Sequence, residues 1–92
     1  MIANVEVITP ELAQEYLRNR HEHTRRPHNE RRHLLFAELM ENGEWKNIEG
    51  SPIMFDKHDQ MIDGVQRMTA IILCGRPVEM YVLRGVPEGG FR

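Results

Sequence analysis

The chain has 92 residues, one cysteine and a formal net charge of −2, with 12 lysines and arginines against 14 aspartates and glutamates. This length predicts a single domain near the lower size limit for a stable core. The lone Cys74 excludes an internal disulfide and favours a reducing compartment, and no apolar run is long enough to span a membrane. The slightly acidic balance argues against a general nucleic-acid coat. We therefore expect a small cytoplasmic domain without a membrane partner.

The N-terminal segment predicts a strand and then a helix. Alternating valines in residues 4–8 are typical of a strand with one buried face. Thr9 is a favourable N-cap and Pro10 suits the first helical position, so a helix is expected to begin here. This helix is expected to end near Asn19.

A loop and a second helix are expected next. Residues 20–28 contain almost no apolar side chains and include Pro27, which predicts an exposed loop. Asn29 can cap a helix that runs to about Asn42 and is closed by Gly43. The side chains expected on its core face are Leu35, Phe36, Leu39 and Met40.

The C-terminal half predicts a hairpin, a helix and a last strand. The hairpin is expected within residues 52–62, with its turn at 56–59. An apolar helix is expected from residue 65 until Gly75 stops it. The last strand is expected at 78–83, before a glycine-rich end.

The resulting order, β-α-α-β-β-α-β, predicts an α+β fold with a mixed sheet and about three helices. One domain is expected over residues 1–92. Its core is expected at about 4–86 and a flexible tail at 87–92.

The most informative segment is the junction between the predicted hairpin and the following helix. A strand that turns at glycine into a helix presents first-turn N–H groups at the positive end of the helix dipole. Gly64 lets an anion approach the backbone, and Arg67, about one turn later, can close over it. Asp63 and Gln66 also fit an ordinary N-cap and its capping-box partner. The local pattern leaves phosphate binding and simple capping both open.

A basic segment at 18–33 is a second candidate, because it holds six arginines against two glutamates. Four of these arginines are expected to attract phosphate over a distance. They are Arg25, Arg26, Arg31 and Arg32. Four histidines in the same segment, with Glu22 and Glu30, are possible metal ligands: His21, His23, His28 and His33. A solvated basic loop is the favoured interpretation, and no metal site is predicted.

Several segments in this order resemble the ParB/sulfiredoxin superfamily, in particular its small ParB-like domains with an Asp-Gly-Gln-His-Arg box. The matching segments are 8–11, 26–27, 40–45, 52–55, 63–67 and 82–86. The resemblance implies the α+β fold described above. It implies a nucleoside triphosphate with Mg²⁺ as cofactor and a nucleotide or DNA as partner. It further implies a role in DNA-related processes of a bacterium, plasmid or phage, with a separate DNA-binding chain or self-association.

Carried onto this sequence, the resemblance assigns phosphate or nucleotide binding to Asp63, Gly64, Val65, Gln66 and Arg67. Val65 and Gln66 stand where the box has glutamine and histidine. Val65 also falls where sulfiredoxin has its catalytic cysteine, so that activity is not expected. Gln66 can form hydrogen bonds but cannot act as a general acid or base. We therefore expect a domain that recognises phosphate of a nucleotide or of a nucleic-acid backbone.

Two other functions stay open at this point, and whether the chain is an enzyme is undecided. One is a Mg²⁺-dependent nuclease or small phosphotransferase, for which Asp63 is the weak catalytic candidate. His58 and Asp59 are the other nearby bases, although with Asp56 they are more typical of a turn. The second alternative is a non-catalytic protein-interaction module in which the box is only an element of the fold.

Overall fold

The computed structural model describes residues 1–20, 32–45 and 52–87, except the side chain of Arg32. Its elements are β1 (Ile2–Ile8), α1 (Pro10–Arg18), α2 (Arg32–Glu41), β2 (Ile53–Asp56), β3 (Met61–Asp63), α3 (Val65–Cys74) and β4 (Val78–Val86). Over these ranges they form a small α+β fold, which confirms the predicted class and element order. Among these described elements, no helix has the length and apolar character needed to cross a membrane.

The four strands form one mixed sheet in the order β1-β4-β2-β3. β4 runs antiparallel to β1 and parallel to β2, and β2 runs antiparallel to β3. Parallel strands need a crossover connection, and α3 lies in the connection that leads back to β4. The start of α3 therefore lies directly at the end of β3. The largest fully buried apolar side chains are Phe55, Ile8, Ile53, Met61, Met68, Ile71, Met80 and Val82.

Local capping explains where α1 begins and where α3 ends. The hydroxyl oxygen of Thr9 accepts a hydrogen bond from the backbone N–H of Leu12 at 3.1 Å, and Pro10 is the first helical residue. Gly75 ends α3 in the left-handed conformation, with φ 71°, and its N–H donates to the carbonyl oxygen of Ile71 at 3.0 Å. Both ends agree with the sequence prediction, because each depends on residues within one turn of it.

Both strands of the β1–β4 pair are longer than predicted. β1 begins at Ile2 rather than at residue 4, and it pairs there with Arg84 of β4. β4 continues through Gly85 to Val86, which pairs with Asp56 of β2. Pairing with two neighbouring strands thus overrides the break that the glycine predicts. The remainder of the predicted tail, residues 88–92, lies outside the described residues.

The core face of α2 differs in part from the prediction. Leu35 was expected to be buried, and this is wrong, because the residue is 56% exposed. Ala37 and Met40 are buried instead, at 8% and 6% exposed, and Phe36 packs against the core beside them. These three residues share one helical stripe, whereas Leu35 is rotated about 100° from Phe36 and further from the other two. The predicted Asn29 cap and most of the predicted loop, residues 21–28, lie outside the described residues.

Candidate functional site at the start of α3

The predicted phosphate site lies at a corner of the backbone, where β3 ends at Asp63 and α3 begins at Val65. Gly64 is the N-cap residue, and no side-chain hydrogen bond caps the helix there. The alternative prediction, with Asp63 as N-cap, is wrong because Asp63 is still in β3 and pairs with Met54. In the described part of the chain, the positive end of α3 therefore begins without a carboxylate cap. We call residues 63–67 the β3–α3 corner.

The fold itself requires glycine at the corner. Gly64 is buried with φ 133° and ψ 11°, a conformation that residues with a side chain rarely adopt. A Cβ atom added here would lie 2.7 Å from Cδ1 of Ile53 and 3.4 Å from Sδ of Met61. The close approach of β2 and β3 thus explains this glycine, without any reference to a ligand.

Arg67 is the charged residue of the corner and is largely buried, with 8% of its surface exposed. One guanidinium nitrogen lies 3.9 Å from a carboxylate oxygen of Asp63, which is longer than a hydrogen bond. Burial lowers the pKa of Arg67, while the negative charge of Asp63 acts to raise it. Because an arginine stays protonated in proteins, the corner contains a desolvated positive charge beside a partly exposed carboxylate.

Gln66 joins the first turns of two helices. Its side-chain oxygen accepts a hydrogen bond from the backbone N–H of His33 at 3.2 Å and lies 2.8 Å from Nδ1 of the same histidine. Gln66 therefore caps α2 from the neighbouring helix, and its predicted capping-box role at α3 is wrong. As a consequence, the N-terminal ends of α2 and α3 meet at this side chain. From the sequence, His33 is only a possible metal ligand. No local pattern predicts its contact with Gln66, which lies 33 positions away.

The other residues predicted to bind or attract phosphate add few described side-chain contacts to the corner. Val65 is half-buried and packs against the core, so it can offer a ligand only its backbone N–H. α2 begins at Arg32, beside His33, which places the backbone of Arg32 near the corner. Arg25, Arg26 and Arg31 lie outside the described residues.

The alternative bases of the hairpin turn lie away from the corner. Asp56 is 1% exposed, and one of its carboxylate oxygens accepts hydrogen bonds from the backbone N–H groups of His58 and Gln60, at 2.8 and 3.0 Å. This confirms the prediction of turn chemistry for Asp56. His58 and Asp59 are exposed in the turn that precedes β3, whereas Asp63 lies at the other end of that strand. The structure thus does not bring them together with Asp63.

A second cluster of charged and aromatic residues surrounds Arg84, and no local sequence pattern predicts it. Two guanidinium nitrogens of Arg84 each donate to Glu6 at 2.9 Å, and one of these also contacts the hydroxyl of Tyr16 at 3.2 Å. The third nitrogen lies 3.4 Å from Asp59, and the guanidinium carbon lies 4.4 Å from the ring centre of Phe55. The hydrogen bonds from Arg84 lower the pKa of Glu6, and the same bonds raise the pKa of Arg84. All three nitrogens have protein partners, so the cluster joins β1, β4 and α1 rather than offering a binding site.

The histidine-rich segment at 18–33 holds the possible metal ligands of the chain. Within residues 1–20, 32–45 and 52–87, no group of three or more histidine, cysteine, aspartate or glutamate side chains is placed to hold a metal ion. His21, His23 and His28 lie outside the described residues. Cys74, the only cysteine, is buried at the end of α3.

Comparison with known proteins adds no assignment. No protein-family model, no curated protein and no solved structure matches this chain significantly. The resemblance to the ParB/sulfiredoxin superfamily therefore stays a prediction from the sequence.

Proposed function

We propose that this domain recognises phosphate groups of a nucleotide or of a nucleic-acid backbone at the β3–α3 corner. The observation that carries the proposal is the start of α3. A helix of ten residues begins there at Val65, after Gly64 and without a side-chain cap, and the buried Arg67 lies in its first turn. Helix N-termini favour anions because their N–H groups and the helix dipole point toward the ligand.

The charge balance at the corner supports an anionic ligand. Gln66 and His33 bring the N-terminal ends of α2 and α3 together, and each end carries roughly half a positive charge. Arg67 adds a full positive charge, and one of its guanidinium nitrogens lies 3.9 Å from a carboxylate oxygen of Asp63. The guanidinium is largely buried, and a phosphate oxygen that reached it would form a charge-assisted hydrogen bond.

Each residue of the β3–α3 corner would contribute differently to phosphate binding. The backbone N–H groups of Val65 and Gln66 would donate to phosphate oxygens, as helix N-termini do in other phosphate sites. Arg67 would neutralise the ligand, and Gly64 would hold the turn. A nucleoside triphosphate with Mg²⁺ or a DNA backbone would supply the phosphate. Arg25, Arg26, Arg31 and Arg32 would attract it, in DNA-related processes of a bacterium, plasmid or phage.

No described contact favours the enzymatic alternative over binding. The carboxylate of Asp63, the weak catalytic candidate, lies 3.9 Å from the guanidinium of Arg67. His58 and Asp59 lie at the far end of β3, and Asp59 contacts Arg84. A nuclease or phosphotransferase would need a base close to the bound phosphate.

Binding of phosphate ligands to wild-type protein and two arginine variants tests the proposal. Arg67→Met removes the charge while keeping most of the buried volume, so it separates binding from packing better than alanine does. Arg76→Met is the matched control, because Arg76 is exposed at the other end of α3. Inorganic triphosphate, nucleoside triphosphates with and without Mg²⁺, and a short DNA duplex at low salt would be titrated by calorimetry.

At least one of these ligands is expected to bind wild-type protein and the Arg76→Met variant equally. Arg67→Met is expected to weaken that binding by about 10- to 100-fold, since a charge-assisted hydrogen bond contributes about 1.5–3 kcal/mol. Circular dichroism should show that both variants fold. Absence of binding by every ligand, or an equal loss in both variants, would contradict the proposal.

A further inference from the structure

β1 forms one edge of the described sheet, and the half-buried Glu6 is its only feature of the kind that protects an edge strand. Natural edge strands are short or carry lysine, proline or a bulge, because their unpaired N–H and C=O groups otherwise recruit another strand. The opposite edge, β3, is only three residues long. β1 has seven residues and contains neither lysine nor proline. Its one charged residue, Glu6, is held by Arg84 at 2.9 Å.

The outward surface of β1 is apolar. Val5 and Val7 are 52% and 54% exposed, and Tyr81, the partner of Val5 on β4, is 42% exposed. A shallow apolar depression of about 330 Å³ lies beside them, between Ala3 and Leu83. Exposed valines on an edge strand beside an exposed tyrosine form an apolar surface that a further strand could cover, although Glu79, the partner of Val7, is also exposed there.

We infer that β1 pairs antiparallel with β1 of a second copy of this chain, across a twofold axis centred on Val5. A twofold axis perpendicular to the sheet pairs residues of equal parity, because paired side chains must point to the same face. Val5 is the middle residue of Ile2–Ile8, so this register uses the whole strand. Each copy would contribute its four strands to one continuous sheet of eight.

Charge and side-chain complementarity select this register and this partner. Centring on Val5 places Val5 opposite its own copy, Ala3 opposite Val7, and Glu6 opposite the neutral Asn4. Centring on Glu6 instead would place two glutamates opposite each other, which is destabilising. A second copy therefore offers a self-complementary strand with apolar pairs and no like-charge contact. The inference does not depend on phosphate binding, because the β3–α3 corner lies at the other edge of the sheet.

The association state in solution tests the inference first. Sedimentation velocity of the whole chain, from about 1 to 200 µM, should show a dimer that dissociates on dilution. Val5→Lys places a charge at the centre of the proposed interface and should give a monomer. Leu73→Lys is the matched control, because Leu73 is also 52% exposed but lies on α3. A monomeric wild-type protein would overturn the inference, and this is the result expected if another segment of the same chain covers β1. An equal loss of dimer in the Val5→Lys and Leu73→Lys variants would also overturn it.

Cysteine cross-linking tests the register. In antiparallel pairs, Cα atoms of opposite residues lie about 4.5–5.5 Å apart, which suits a disulfide. Two Tyr81 residues would be separated by three strand spacings, about 14 Å, which is too far. Val5→Cys should therefore form a linked dimer under mild oxidation, while Tyr81→Cys should not; the buried Cys74 is not expected to compete. Linkage through residue 81 and not through residue 5 would mean that the sheet faces pack together, which would overturn edge pairing.

Discussion

Replacing Gly64 by alanine should destabilise the fold strongly, because both the backbone conformation and the surrounding side chains exclude a Cβ atom. With φ at 133°, alanine would lie in a region that costs about 1–2 kcal/mol relative to glycine. Its Cβ would lie 2.7 Å from Cδ1 of Ile53, which is fully buried and has little room to move. Overpacking of this kind costs about 1–3 kcal/mol. The expected total is about 2–5 kcal/mol of the free energy of unfolding, a large part of the stability of a small domain.

Urea denaturation of Gly64→Ala, Ile53→Val and the double variant separates the two contributions. Ile53→Val removes the clashing methyl group and should cost about 0.5–1.5 kcal/mol by itself. In the double variant the steric contribution should be relieved, so its destabilisation should be about 1 kcal/mol smaller than the sum of the single effects. Gly75→Ala serves as a control for backbone strain alone, because φ is 71° there and no atom lies within 4 Å of the added Cβ.

Two results would refute this reasoning about the corner. If Gly64→Ala costs no more than Gly75→Ala, the close approach of Ile53 does not restrict residue 64. If the effects of Gly64→Ala and Ile53→Val are simply additive, the obstacle is not the methyl group of Ile53.

Two further predictions concern carboxylates outside the corner. Because hydrogen bonds from Arg84 lower the pKa of Glu6 below its ordinary 4.5, the pair should stabilise the fold above that pH and lose its effect as pH falls through the lower folded pKa. At pH 7, the free energy of unfolding from urea denaturation should therefore be roughly 1–2 kcal/mol higher for wild-type protein than for Glu6→Gln, and this difference should shrink below pH 4.5. A difference that does not change with pH would contradict the ion pair. Asp56→Ala should cost about 2–3 kcal/mol, because it leaves two backbone N–H groups of the hairpin turn without their acceptor. Asp56→Asn keeps an acceptor oxygen and should cost less than half as much in the same denaturation assay; equal costs would show that the turn does not need it.

The parts of the fold that depend on neighbouring residues could be predicted from the sequence. Thr9 and Pro10 begin α1 as expected, and Gly75 ends α3 as expected, because a cap is decided within one helical turn. The element order and the α+β class follow from the same kind of local pattern, repeated along the chain. Strand length could not be predicted in this way, since the end of β4 beyond Gly85 pairs through Val86 with Asp56 of β2, which is distant in sequence.

The candidate site shows the same division. The turn at Gly64 and the helix after it could be predicted, whereas the cap at Asp63 could not be distinguished from a cap at Gly64 by composition. The contact between Gln66 and His33 joins residues 33 positions apart, and the bond between Glu6 and Arg84 joins residues 78 apart. Such pairs depend on how helices and strands pack, so the local patterns of the sequence do not predict them.

The most direct test of the proposed phosphate site is the change in backbone amide NMR signals when a nucleoside triphosphate is added with Mg²⁺. Phosphate binding at the β3–α3 corner predicts saturable shifts that are largest at Val65, Gln66 and Arg67 and extend to His33 across the hydrogen bond. In Arg67→Met the same shifts should need about 10- to 100-fold more ligand. Absence of saturable shifts with triphosphate and with DNA, or shifts centred on residues far from the start of α3, would contradict the proposed site.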